Sequence, residues 1–104
     1  MGYNSGMLNL TPIQRRFLRA QAHGLRPIVM IGQSGLTEAV KKEIDSRLRF
    51  HELMKIKLAD DDREARNQIL DNICNELVAA PVQQIGKILV VYRPAVEPKL
   101  TLPV

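Results

Sequence analysis

The chain has 104 residues, which is enough for one domain with a single core of modest size. Hydrophobic residues make up 45% and charged residues 25%, and no run has the composition of a membrane span or a secretory signal, so we expect a globular protein that acts away from membranes. The formal net charge of +4 favours an anionic partner, and the single cysteine, Cys74, excludes an internal disulfide and fits a reducing, cytoplasmic setting.

Three segments are predicted from composition. Residues 1–9 carry no charge and no clear periodicity, and we interpret them as a flexible leader. Residues 10–97 form the domain, and residues 98–104, which contain two prolines, are predicted to be an extended tail.

The first predicted helix begins after Thr11, because Thr11 and Gln14 form a capping box around a proline at the first helical position. Gly24 ends the helix, and Pro27 prevents it from resuming. Its predicted apolar face consists of Ile13, Phe17 and Ala20.

A short apolar run at residues 28–31 predicts a buried strand. The loop at residues 32–35, with the sequence GQSG, follows it, and Thr37 then caps a second helix. The predicted apolar stripe of that helix consists of Val40, Ile44 and Leu48. Apolar and basic residues alternate over residues 54–58, which predicts a half-buried strand that carries Lys55 and Lys57 on one face.

A third helix is predicted after residues 60–62, three aspartates that favour the positive end of a helix dipole. Residues 82–85 form a weak strand signal, and residues 88–92 form a strong one after a Gly86-Lys87 turn. The predicted apolar face of the helix consists of Ala65, Ile69, Leu70, Ile73, Cys74 and Leu77.

The element order is therefore α-β-α-β-α-β-β. Strand–helix–strand crossovers are right-handed and make the flanking strands parallel, so the first three strands are predicted to be parallel and the fourth to return as a hairpin. The predicted fold is a single α/β domain with a four-stranded mixed sheet and three helices, of which at least two lie on one face.

The loop at residues 32–35 is predicted to lie where the parallel strands end, an edge of the sheet that we call the glycine edge. Its amides and the first turn of the second helix could bind a phosphate that side chains would otherwise block, with Ser34 and Thr37 adding hydroxyl donors. From spacing alone, a simple chain reversal explains the two glycines equally well. The loop lacks the Lys-Ser/Thr pair of a P-loop.

The basic residues strengthen the binding interpretation, because the segment 12–57 carries ten Lys/Arg and four Asp/Glu. We expect Arg15, Arg16, Lys41, Lys42 and Lys87 to converge on the glycine edge, and Arg26 and Arg93 to lie at the opposite edge. Residues 60–62 argue against phosphate binding there and could hold magnesium, although helix capping also explains them. With no nucleophile beside a base, no CxxC and no G-x-S-x-G, neither an enzyme nor a metal or cofactor site is predicted.

Three blocks of sequence resemble a known family. They are LRPIVMIGQSGLT at residues 25–37, HELMKIKLADDDRE at residues 51–64 and QIGKILVVYRP at residues 84–94. In this order they resemble the CRM domain, the chloroplast RNA splicing and ribosome maturation module, in its stand-alone bacterial form. The similarity extends from about Leu10 to Lys99.

The resemblance implies a fold akin to the C-terminal domain of a bacterial translation initiation factor. It also implies RNA binding through the G-x-x-G loop and association with precursors of the large ribosomal subunit. Because Gln33 and Ser34 are uncharged here, the loop must depend on its amides and on neighbouring cations.

The leading hypothesis is a non-catalytic protein that binds structured ribosomal RNA, since the four aromatic residues form no stacking platform. A protein-interaction module that docks on a ribosomal protein or assembly factor is the alternative, and a small enzyme acting on a phosphorylated substrate is a third reading. The predicted RNA-binding residues are Gly32, Gln33, Ser34, Gly35 and Thr37 in the loop and cap, and Arg15, Arg16, Lys41, Lys42, Lys55, Lys57 and Lys87 around it.

Overall fold

The computed structural model describes residues 6–104, and within that range the predicted order of three helices and four strands is confirmed. The helices are α1 (Pro12–Ala22), α2 (Glu38–His51) and α3 (Arg63–Leu77). The strands are β1 (Pro27–Ile31), β2 (Leu53–Leu58), β3 (Ala80–Ile85) and β4 (Ile88–Tyr92).

The four strands form one mixed sheet in the order β1-β2-β4-β3. β1 and β2 pair in parallel, and β4 is antiparallel to both of its neighbours, so β1, β2 and β3 point the same way, as predicted. Their carboxyl ends meet at the glycine edge. There the amide of Ala59 donates to the carbonyl of Ile31 at 3.0 Å, and the amide of Leu58 donates to the carbonyl of Lys87 at 2.8 Å.

Helix starts follow the local sequence signals. In the capping box of α1, the Thr11 hydroxyl accepts from the Gln14 amide at 3.1 Å, while the Gln14 side chain accepts from the Thr11 amide at 3.0 Å. The Thr37 hydroxyl accepts from the Val40 amide at 3.2 Å and caps α2 in the same way. These bonds satisfy donors that a helix leaves free at its first turn.

The two faces of the sheet are covered differently. α2 and α3 pack on one face, where the predicted stripe of α2 is buried at Ile44 and Leu48 and that of α3 at Leu70, Ile73 and Cys74. α1 packs on the other face with a smaller cluster. The part of that face nearest the glycine edge stays exposed, and Met30 keeps 61% of its surface accessible there.

The predicted apolar face of α1 is wrong. Leu18 and Ala22 are the buried residues of this helix, whereas Ile13 is 53% exposed and Ala20 is exposed. The helix buries Leu18 instead of the neighbouring Phe17. One residue corresponds to a rotation of about 100°, because an α-helix has 3.6 residues per turn. Phe17 is only partly buried beside the cluster.

Both ends of the described chain contact the domain. The amide of Leu8 donates to the carbonyl of Ala79 at 2.9 Å, whereas residues 1–5 of the predicted leader lie outside the described residues. In the tail, the buried carboxylate of Glu52 accepts hydrogen bonds from the amides of Lys99 and Leu100. The boundaries of the leader and the tail remain predictions.

Arg93, which follows β4, joins the middle of α2 to the end of α3. Its guanidinium donates to the Asp45 carboxylate at 2.7 Å, to the Asp45 carbonyl at 3.0 Å and to the Leu77 carbonyl at 2.9 Å. The hydrogen bond from Arg93 lowers the pKa of Asp45 below its usual value of 3.8. Because the unfolded carboxyl binds protons more readily, this pair stabilises the fold above about pH 3.8 and loses its effect below.

We expect Asp45→Asn to lower the free energy of unfolding by about 1 kcal/mol at pH 7, a modest loss because the pair is partly solvated. Urea denaturation of both proteins at neutral and acid pH measures this difference. The difference is expected to shrink as the pH falls through the lowered pKa of Asp45, and a difference that stays constant down to acid pH would contradict the assignment. Glu43→Gln, which breaks a 4.0 Å ion pair with Arg47 on the same helix, is the control and should change little.

Candidate nucleic-acid interface

The glycine loop begins with a tight turn. The amide of Gly35 donates to the carbonyl of Gly32 at 3.1 Å, which places Gln33 and Ser34 at the tip. Gly35 has a φ of 75°, a conformation that side chains disfavour, so this glycine is required by the turn itself. The amide of Thr37 is also used, since it donates to the Gly35 carbonyl at 3.0 Å.

The remaining amides of the loop are available for a ligand. Within residues 6–104, no acceptor contacts the amides of Gly32, Gln33, Ser34 or Leu36. A Cβ atom built on Gly32 or Gly35 would meet no atom within 4 Å, so the approach to the loop is open. The predicted donor set is corrected at one position, because the Gly35 amide closes the turn and cannot also hold a phosphate.

The cleft beside the loop is too small for a metabolite. It holds about 40 Å³ between the loop, Asp60 and Ile69 of α3. Small-molecule sites usually measure roughly 300–1,000 Å³. Asp60, whose carboxylate accepts a hydrogen bond from the Asp62 amide at 2.8 Å, adds negative charge near the loop.

The acidic segment that follows β2 is held in place by a buried arginine. The Arg66 guanidinium donates to the carbonyls of Asp60 and Asp61, at 3.1 and 2.8 Å, and to the side chain of Gln84 at 2.8 Å. Its side chain is buried under the segment. These bonds fix the carboxylate of Asp61 beside Lys87, with which it forms an ion pair.

Two of the predicted cations are therefore neutralised by partners. Lys87 lies at the glycine edge, but its hydrogen bond lowers the pKa of Asp61 and binds the ammonium to that carboxylate. Lys41 pairs with Glu76 at 2.7 Å and with Glu38 at 3.1 Å, and these hydrogen bonds raise its pKa. Both ammonium groups would have to exchange a carboxylate for a phosphate.

The expected convergence of cations on the glycine edge is wrong for Arg15. This residue donates to the carbonyl of Pro81 at 3.4 Å, near the start of β3 and hence at the opposite edge. Lys41 and Lys42 lie in the first two turns of α2, as predicted. Lys41 contacts Glu76 at the last turn of α3, and Lys42 lines the same surface cleft, so carboxylates surround both lysines.

The remaining predicted cations lie on the α1 face of the sheet. Lys55 and Lys57 project from β2 on the same face, as predicted, and Lys57 pairs with Met30 in the ladder next to the loop. Lys55 faces Arg16 across a groove between α1 and the uncovered half of the sheet. We call this the α1 groove, and its polar lining consists of Arg16, Arg19, His23, Lys55 and Gln83.

Arg19, His23 and Gln83 were not predicted as site residues. Arg16, Arg19 and His23 recur at spacings of three and four, which places them on one side of a helix. This spacing was visible in the sequence. It could not be assigned to a groove while the apolar face of α1 was rotated by one residue.

Metal and membrane sites find no structural support in the part of the chain that the structure describes. Within residues 6–104, no group of three His, Cys, Asp or Glu side chains is placed to hold a metal ion. No helix in that range is long and apolar enough to span a bilayer. Burial raises the pKa of the Cys74 thiol to about 12, which keeps it protonated and unreactive.

Comparison with known families agrees with the fold. The model of the CRS1 / YhbY (CRM) domain matches residues 10–93. The chain therefore belongs to the CRM domain family, and the resemblance seen in the sequence is confirmed.

Similar proteins carry names that refer to RNA. The chain is 50% identical over 97 residues to an "RNA-binding protein" of Haemophilus influenzae, covering 93% of this chain and 98% of that protein. It is 38% identical over 93 residues to a "probable RNA-binding protein" of Pseudomonas aeruginosa, covering 89% of each. The solution structure of a hypothetical protein from Staphylococcus aureus matches with a TM-score of 0.83 at 33% identity, over 91% of this chain and 100% of that chain.

The two glycines are expected to differ in their effect on stability. Gly35→Val forces a β-branched side chain to a φ of 75° and is expected to lower the free energy of unfolding by about 1–2 kcal/mol. Gly32→Val places its side chain in open space without a left-handed φ, and it is expected to change the free energy of unfolding by about 0.5 kcal/mol or less. Urea denaturation measures both, and equal losses would contradict the turn geometry.

Proposed function

We propose that this protein is a non-catalytic, cytoplasmic RNA-binding protein that holds structured RNA through the amides of its G-x-x-G loop. The observation that carries the proposal is the open loop, whose tip amides have no acceptor within residues 6–104. Membership of the CRM domain family and the names of the relatives support RNA as the partner.

The chemistry of the loop suits a phosphate group. The amides of Gln33 and Ser34 are exposed at the tip, and the hydroxyl of Ser34 can donate as well. The Thr37 hydroxyl oxygen accepts a hydrogen bond from the Val40 amide, which leaves the hydroxyl hydrogen of Thr37 free to donate. The positive end of the α2 dipole lies directly behind the loop and favours an anion there.

The nearby cations divide into two classes in this proposal. Arg16, Lys55 and Lys57 lie on the α1 face, beside the exposed part of the sheet, and contact RNA directly. Lys87 contacts RNA after its release from Asp61. Arg15 lies at the opposite edge, and Lys41 and Lys42 share a cleft with Glu38 and Glu76, so in this proposal these three residues contribute only to the long-range attraction that speeds encounter.

We infer that the RNA is ribosomal and belongs to precursors of the large subunit. This step rests on the resemblance to stand-alone bacterial CRM proteins. The absence of an aromatic residue on the exposed sheet face, within the described residues, agrees with RNA read by shape and backbone.

A second candidate is a protein-interaction module, which is favoured by one observation. Met30 and Ile85 expose 61% and 48% of their surfaces on the same face of the sheet. Exposed apolar residues on a sheet often mark a protein interface. Capture of a ribosomal protein from RNase-treated extract, insensitive to salt, would favour this candidate over RNA binding.

Gly32→Val is expected to weaken the binding of a labelled RNA hairpin at least about tenfold while the protein stays folded, because the valine side chain blocks the amides. Fluorescence anisotropy measures the affinity, and thermal unfolding checks the fold. Unchanged affinity in a folded variant would remove the loop from the site.

The charge at the loop tip is expected to tune the same affinity. Gln33→Lys should tighten binding about threefold and Gln33→Glu should weaken it by a similar factor, since the residue faces the phosphate. Asn72→Lys and Asn72→Glu, on the exposed side of α3, are the matched controls for net charge. Equal effects at both positions would show that only the overall charge matters.

Asp61→Asn is expected to tighten RNA binding about threefold, because it frees the Lys87 ammonium and removes a charge that repels phosphate. The slope of log affinity against log salt should steepen by about 0.7–0.9, the contribution of one added phosphate contact. Asp71→Asn, on the exposed side of α3, is the control for net charge. An unchanged slope in Asp61→Asn would mean that Lys87 does not touch the RNA.

A further inference from the structure

The α1 groove is a wide concave surface whose lining includes three basic side chains, Arg16, Arg19 and Lys55. Its volume is about 590 Å³. Arg16, Arg19 and His23 on α1 are exposed, and Lys55 and Gln83 on the sheet are half-buried, so the groove is an open trough. Such a shape admits a polymer that passes through it.

The cations of the α1 groove are free of carboxylate partners. Within residues 6–104, no ion pair involves Arg16, Arg19 or Lys55, and no acidic residue lines the groove. Residues 1–5 contain no acid either. This contrasts with the pairing of Lys41 and Lys87. The groove therefore has uncompensated positive charge.

The spacing of the polar side chains on α1 suits a nucleic acid backbone. Arg16 and His23 are seven residues apart, which is about 10.5 Å along a helix at 1.5 Å per residue. A stacked strand advances about 3.4 Å per nucleotide, so the stripe spans about three phosphates. Arg19 lies between the two ends on the same side of α1.

The groove and the glycine loop are joined by a continuous exposed surface. Met30 precedes the loop by two residues and pairs with Lys57 on the neighbouring strand. Lys57 and Lys55 project to the same side of β2, and Lys55 lines the groove. An RNA held at the loop can therefore reach the groove without crossing an acidic surface.

We propose that the α1 groove is a second contact for the RNA, binding the sugar–phosphate backbone of about three nucleotides. This inference rests on the proposed function and deepens it. Arg16 and Arg19 contact phosphates from one wall, and Lys55 does so from the other. The Gln83 amide, which makes no side-chain hydrogen bond within the described residues, offers a donor and an acceptor to a ribose hydroxyl.

The lining favours RNA over a protein partner. Its apolar members are Ala20, Ala22 and Ile85, and no aromatic residue lines the groove. Strong protein–protein sites are usually centred on Trp, Tyr or other large anchors that fill pockets. A cationic trough without such anchors binds an extended polyanion better.

The test compares two double variants that remove the same charge from exposed helical arginines. Arg16→Gln with Arg19→Gln changes the α1 groove, and Arg47→Gln with Arg49→Gln changes the outer side of α2. Their affinities for a labelled RNA hairpin and for poly(U) are measured over a series of salt concentrations. Thermal unfolding confirms that both variants are folded.

The groove variant is expected to bind the hairpin at least about tenfold more weakly at low salt, with a salt slope reduced by about 1.4–1.8, the value for two lost phosphate contacts. The α2 variant is expected to lose less than about threefold and to keep its slope. Arg16→Lys with Arg19→Lys is expected to retain the wild-type slope, because the charges remain.

Each outcome separates the groove from the loop. If the two glutamine variants behave alike while Gln33→Glu still weakens binding, the groove is not a contact and the RNA-binding function stands. If the groove variant keeps both its affinity for the two RNAs and its salt slope, the groove does not bind the RNA backbone and the inference is wrong. If the wild-type protein binds neither RNA, the proposed function itself fails.

Discussion

The direction of the strands controls the position of every candidate contact. Because β1, β2 and β3 run the same way, the glycine loop, the acidic segment after β2 and the Gly86-Lys87 turn meet at one edge. Hydrogen bonds from Leu58 and Ala59 hold these three connections together. The open amides of the loop and the carboxylates of the acidic segment therefore lie at the same edge of the sheet.

Charge is divided between the two faces of the sheet. On the α2–α3 face, Lys41 and Arg93 are paired with carboxylates and stabilise the packing of helices. On the α1 face, Arg16, Arg19 and Lys55 are unpaired among the described residues. A formal charge of +4 spread evenly would attract RNA weakly, whereas this division presents the cations on one exposed face beside the loop. The same division gives this chain a basic face although Gln33 and Ser34 carry no charge.

Local signals predicted most of the fold, and long-range packing decided the rest. Caps, turns and alternation gave the element order and the parallel strands, and β4 was predicted with its observed bounds. The capping box at Thr11 predicted where α1 begins but not which side it buries, because Phe17 and Leu18 are both apolar and only the sheet selects between them. Arg15 was expected at the glycine edge because α1 was expected to run back across the sheet toward it, whereas the start of α1 lies beside the start of β3. Ion pairs such as Lys41–Glu76 join residues distant in sequence, so no local pattern reveals them.

The most direct test of the central claim is an NMR titration of the isotopically labelled protein with an RNA hairpin, read at each backbone amide. The account predicts that the largest shifts occur at Gln33, Ser34 and Leu36 and continue along the α1 face, while the outer surface of α2 and α3 changes little. Shifts concentrated on α2 and α3, with the loop amides unmoved, would contradict it.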